Sequence, residues 1–95
     1  MHVISKKTLE QFWIKHAAAR APLQSWFRVV SSCRFENIYD LRQAFNSVDP
    51  VPPYTVFNIA GNNYRIVAAV HYSRQKLYIR SVLTHVEYDR MTLVN

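Results

Sequence analysis

Residues 56–88 read VFNIAGNNYRIVAAVHYSRQKLYIRSVLTHVEY, and no other stretch of the chain so narrows what it can fold into. The only glycine of the chain, Gly61, stands here beside Asn62 and Asn63. Glycine and asparagine tolerate positive φ, so residues 60–63 predict a hairpin turn between strands at 54–59 and 64–72. A second turn at Ser73-Arg74-Gln75 leads into a third strand at 76–84, which completes an antiparallel meander. Side chains of a strand point alternately to its two faces. Strict alternation therefore sets Tyr64, Ile66, Ala68 and Val70 against Arg65, Val67, Ala69 and His71. In the third strand it divides Leu77, Ile79, Ser81 and Leu83 from Tyr78, Arg80, Val82 and Thr84. Arg65 and Arg80 thus stand among hydrocarbon neighbours, a costly place for a cation unless an anion comes to meet it.

The first half supplies a cover for the apolar face. Ser5 is a suitable N-cap, after which Leu9, Phe12, Trp13 and His16 fall at i, i+3, i+4 and i+7. A second helix is expected from Pro22, with Leu23, Trp26, Phe27 and Val30 in the same spacing. The short connection makes the two an antiparallel hairpin. A third, shorter helix follows, with Asn37 as its cap and Ile38, Leu41 and Phe45 on its buried side. Residues 46–53 hold three prolines and read as an irregular loop, while residues 1–4 suit an edge strand. The tail, 85–91, predicts one or two helical turns. The fold class is α+β: an N-terminal helical hairpin on a curved antiparallel sheet of three to four strands, with a short C-terminal helix, in a single domain spanning 1–95.

Composition restricts the function. Twelve Lys and Arg against six Asp and Glu give a formal charge of +6, which favours an anionic partner such as nucleic acid or an acidic protein segment. One cysteine, Cys33, allows no internal bridge, and no stretch resembles a signal sequence or a membrane span, so a cytoplasmic location is expected. The four histidines lack metal-ligand spacing and a single glycine cannot make a phosphate loop, so neither a metal nor a cofactor is expected. Ser31, Ser32 and Cys33 read as a helix terminus rather than as nucleophiles.

What remains is Arg65, Arg80, His85 and Tyr88. Arginine grips phosphate through a planar fork of donors, histidine exchanges protons near neutrality, and tyrosine stacks on a base or donates to a departing oxygen. If the tail turns helical at His85, Tyr88 shares its face. Alternatively, both arginines pair with Glu87 and Asp89, and Tyr88 merely holds the tail down.

The run Phe57-Asn58-Ile59-Ala60-Gly61-Asn62-Asn63-Tyr64-Arg65, with Arg80, the ending Thr84-His85-Val86-Glu87-Tyr88-Asp89, and the opening Val3-Ile4-Ser5-Lys6-Lys7 with Leu9 and Phe12-Trp13, resembles the HigB toxins of bacterial type II toxin–antitoxin systems. These belong to the wider RelE/ParE-like superfamily, whose fold is a helical hairpin on a curved antiparallel sheet. The resemblance implies a metal-independent endoribonuclease, an mRNA interferase acting on messenger RNA in the ribosomal 30S A site and silenced by a HigA-type antitoxin, without membrane association. Arg65 and Arg80 are then expected to hold the scissile phosphate, His85 to move a proton and Tyr88 to orient the nucleotide. Asn58, Asn62, His71, Arg74 and Lys76 are expected to contact RNA. Many RelE-like toxins carry lysines near the active face, whereas this chain has none between Lys15 and Lys76, which moves the proton-transfer role to His85. ParE-like relatives act on gyrase instead, so a non-enzymatic toxin or a basic RNA- or ribosome-binding module stands as the alternative.

Overall fold

The hairpin signals of the second half become β3 (Tyr54–Ile59), β4 (Tyr64–His71) and β5 (Lys76–Thr84), paired antiparallel in sequence order. The computed structural model describes residues 1–94, with side chains described as far as Met91. Between β3 and β4 the turn holds Ala60 and Gly61 at φ 53° and 67°. Gly61 takes this left-handed backbone at little cost, whereas Ala60 carries a Cβ that disfavours it and is held there by the turn.

Two further strands widen the sheet. β1 (His2–Ile4) runs parallel to β5, and β2 (Val48–Val51) pairs antiparallel with β3, giving the order β1-β5-β4-β3-β2. The sheet is therefore five-stranded and mixed, not an antiparallel sheet of three or four strands. The proline-rich segment read as irregular supplies the β2 edge. Pro50 fits inside it, opposite Thr55, because an edge strand has a side on which no ladder donor is needed.

The helices are α1 (Lys6–Lys15), α2 (Arg20–Ser32), α3 (Ile38–Ala44) and α4 (His85–Val94), with a short 3₁₀ turn at Ala17–Ala19 joining the first two. Leu9 and Phe12 from α1, and Leu23, Trp26 and Val30 from α2, pack with Phe57, Ile66, Leu77 and Ile79 of the sheet as one core. Each such side chain contributes about 1.5–3 kcal/mol on burial. Trp26 meets the edge of Phe57 with ring centroids 5.3 Å apart. Helix α2 begins before its expected start, so Pro22 lies within the first turn, where its missing N–H leaves no bond unmade. Asn37 caps α3 as the sequence suggests, its Oδ1 accepting from Asp40 N at 3.1 Å. Ser5 caps differently: it sits at φ 76° with no side-chain bond, and its carbonyl accepts from Thr8 N at 2.9 Å. No helix among the described residues is long and apolar enough to cross a membrane.

Strict alternation fails in β5. Val67 pairs with Ser81 but Ala68 with Ile79, which leaves Arg80 as an extra residue in a β-bulge. Beyond it the faces exchange. Val82 turns to the helices and packs on the core, whereas Ser81 and Leu83 take the opposite face, across from Val67 and Arg65. The earlier assignment of Val82 to the arginine face, and of Ser81 and Leu83 to the core face, is corrected by this one-residue insertion. Helix α4 then returns along β4 and β5 over that second face.

Candidate active site

Arg65 lies one residue into β4, and the preceding turn wraps its guanidinium. Nη1 donates to the carbonyl of Asn62 at 2.7 Å and to that of Tyr64 at 3.3 Å. Only 8% of the residue is exposed. The tight turn thus does two things: it reverses the chain, and it aims a carbonyl at a cation that lies largely out of water. Nη2 reaches His85 Nδ1 at 3.3 Å, and the guanidinium carbon stands 5.5 Å from the centre of the Tyr88 ring. Carbonyl dipoles and a π face offset part of the desolvation cost but leave the positive charge uncancelled.

His85 is placed by the start of α4. Thr84 and Glu87 form a capping box: Glu87 Oε1 accepts from Thr84 N at 2.9 Å, and Thr84 Oγ1 accepts from Glu87 N at 3.2 Å. The bond from the Thr84 backbone N–H holds the Glu87 carboxyl below its ordinary range. The box fixes the direction in which α4 leaves β5, and with it the ring of the first helical residue. A guanidinium offers only donors, so His85 Nδ1 accepts from Arg65 and carries no proton. Nε2 therefore holds the proton and donates to Asp89 Oδ2, 3.1 Å away and one helical turn on. The ring stands between a cation and a carboxylate.

Tyr88 lies one turn beyond His85 and faces Arg65. With Arg80, Ser81 and Met91 it lines a cavity of about 320 Å³ over the sheet. Arg80, at the bulge, is exposed and rests 5.9 Å from the centre of the Tyr78 ring. Neither arginine forms a salt bridge among the described residues. Of the two carboxylates weighed as their partners, Glu87 caps α4 and Asp89 binds His85.

Against this geometry stands a direct match. The family model for HigB_toxin, the RelE-like toxic component of a toxin–antitoxin system, matches residues 19–91, which include all four residues of the cluster. The chain belongs to the HigB toxin family. It is 35% identical over 98 residues to the mRNA interferase toxin HigB of Escherichia coli strain K12, covering 100% of this chain and 94% of that relative. The mRNA interferase HigB of Shigella flexneri matches to the same extent. That of Escherichia coli O6:H1 is 28% identical over 95 residues, covering 97% of this chain and 92% of the relative.

The other residues singled out in this HigB-family chain divide into two groups. Asn58 pairs across the ladder with Arg65, but its amide is occupied in binding the Ser47 hydroxyl and, at 3.3 Å, Asp49 Oδ2. It fastens the β2 edge. Asn62 enters the site through its backbone carbonyl. His71, Arg74 and Lys76 gather at the far end of the sheet, about 20 Å from Arg65 at the usual strand rise. There His71 packs edge-on against Tyr78, with ring centroids 5.3 Å apart. The Thr84-x-x-Glu87 spacing is itself a capping signature, and Asp89 stands at i+4 from His85, so the cap and the His85–Asp89 contact are both legible in the sequence. Tyr54 at the cavity rim carries no local signal, because the cavity exists only once β3 is set beside β4 and α4.

Proposed function

We propose that this chain is the toxin of a toxin–antitoxin pair and a ribosome-dependent mRNA interferase, cutting messenger RNA in the 30S A site in the cytoplasm and silenced by a HigA-type antitoxin. The observation that carries the reading is the contact of Arg65 with His85 Nδ1, beside Tyr88 and an exposed Arg80 on an open sheet face. Relatives named mRNA interferases, matched over almost their full length, support it.

RNA carries its own nucleophile, the 2′-hydroxyl, so the protein has to position it, take its proton and stabilise the charge that builds on phosphorus. Arg80 and Arg65 bind the two non-bridging phosphate oxygens. As Arg65 turns its Nη2 to phosphate, His85 Nδ1 is freed with its lone pair and accepts the 2′-proton. Asp89 holds the opposite nitrogen and stabilises the imidazolium that results, the part an aspartate plays beside a catalytic histidine. The 2′-oxygen bonds to phosphorus, the bond to the 5′-oxygen breaks, that oxygen takes a proton from water, and the proton held by His85 neutralises the hydroxide left behind. The ends produced are a 2′,3′-cyclic phosphate and a 5′-hydroxyl.

Single-turnover cleavage on programmed ribosomes tests the assignment. His85→Gln is expected to cut roughly a hundredfold or more slowly, the usual scale for a general base, while ribosome binding stays near the parent's. A folded Gln variant with full cleavage rate removes His85 from the reaction.

A further inference from the structure

Part of the cavity beside Arg80 has no task in this chemistry. Its floor is Val56 and Val67, both buried on the face away from the helical core, with the Ser81 hydroxyl beside them. Its rim is Val51 and Tyr54 from the β2–β3 hairpin and Met91 from α4. These three are 44%, 39% and 38% exposed, so three large apolar side chains meet water around one opening. Their convergence is not a product of local sequence: the hairpin and α4 are brought together over the sheet from opposite sides. An apolar slot with an aromatic wall and one or two polar groups is the form of a small-ligand site. Continuity with Arg80 and Tyr88, which line the same cavity, points to the part of a nucleotide that is flat and apolar on its faces.

We infer that this cavity seats the nucleobase adjoining the scissile phosphate, stacked on Tyr54, and that this contact helps decide where the message is cut. The inference rests on the ribonuclease reading and adds to it a specificity-determining residue. With the phosphate on Arg80, the neighbouring base falls into the slot: Val56 and Val67 cover one edge, and Ser81 offers a donor and an acceptor to the other. Stacking on an aromatic ring tolerates any base, while the single hydroxyl adds a modest preference among base edges.

The test measures kcat/KM on ribosomes programmed with intact mRNA, and with mRNA carrying an abasic nucleotide on either side of the cut in turn. With intact mRNA, Tyr54→Ala is expected to lose about 5- to 150-fold, the range for one base–aromatic stack, and Tyr54→Phe to retain the parent rate. With the base removed from the seated nucleotide, the parent falls to the level of Tyr54→Ala, and the two changes together cost no more than either alone. Losses that multiply on combining the changes mean that Tyr54 acts through the fold, and they overturn the inference. A parent enzyme indifferent to base removal on both sides overturns it without any variant. In either case cleavage of intact mRNA continues, so the ribonuclease reading stands. A parent that cuts neither message removes that reading and the base seat with it.

Discussion

Arg65 and Arg80 share a side-chain type but differ in what surrounds them, and substitution should separate them. Arg80 is exposed at a bulge and rests on the face of Tyr78. Arg80→Ala should abolish growth arrest on expression while changing stability by no more than about 0.5 kcal/mol, as for surface positions in general. Arg65 is buried and satisfies two turn carbonyls. Arg65→Ala should lose toxicity as well, but with a cost of about 1–3 kcal/mol for the carbonyls left without a donor. Melting curves of the two variants, beside a toxicity assay, distinguish an arginine that only binds from one that also holds the turn. Arg65 was legible as a facing residue because it lies four residues after the single glycine, where register is fixed by the turn. The surroundings of Arg80 were not, since a bulge leaves no mark in a sequence whose residues on either side are all strand formers.

At the scale of elements, the site depends on how α4 leaves β5. Thr84→Ala should cost about 0.5–2 kcal/mol, the usual loss for a helix cap, and should slow cleavage by letting the His85 ring swing away from Arg65. The cap also has a pH dependence. Folding lowers the Glu87 carboxyl from its ordinary value of 4.5, so the unfolded chain binds that proton more readily. The stabilisation is then fully present above the ordinary value and is lost as pH falls through the lowered one. Amide protection in α4, taken relative to the intrinsic exchange rate at each pH, should fall on acidification below about pH 4, and Glu87→Gln should remove that component. The helical cover and its packing were readable in advance because the 3.6-residue period of Leu9, Phe12, Leu23, Trp26 and Val30 survives folding unchanged. The parallel β1 and the edge β2 were less so: β1 finds its partner some 70 residues away, and Pro50 is acceptable only because the pairing leaves β2 at the rim. Trp26→Ala should cost about 3–5 kcal/mol, a large share of the roughly 5–15 kcal/mol typical of a domain, read as a lowered midpoint in a denaturant titration.

For the whole molecule, a formal charge of +6 sits behind an open face whose exposed arginine and sheltered neighbour both lack a carboxylate partner among the described residues. Such a field draws in polyanions and acidic protein segments from a distance of about a Debye length. Association with the antitoxin should slow as salt rises, and stopped-flow rates at a series of salt concentrations read this directly. The helical layer and the mixed sheet keep the two arginines, His85 and Tyr88 in place before any ligand arrives, so that the energy of binding RNA is available for the reaction. In the proposed reaction this arrangement cuts RNA through its own 2′-hydroxyl, with His85 taking the proton. The most direct measurement is the chemistry of the ends made on translated messages by the parent and by His85→Gln. New 5′-hydroxyl and 2′,3′-cyclic phosphate ends, abundant with the parent and nearly absent with a folded Gln variant, are the predicted result. Growth arrest with no new ends, or ends carrying a 5′-phosphate, would contradict it.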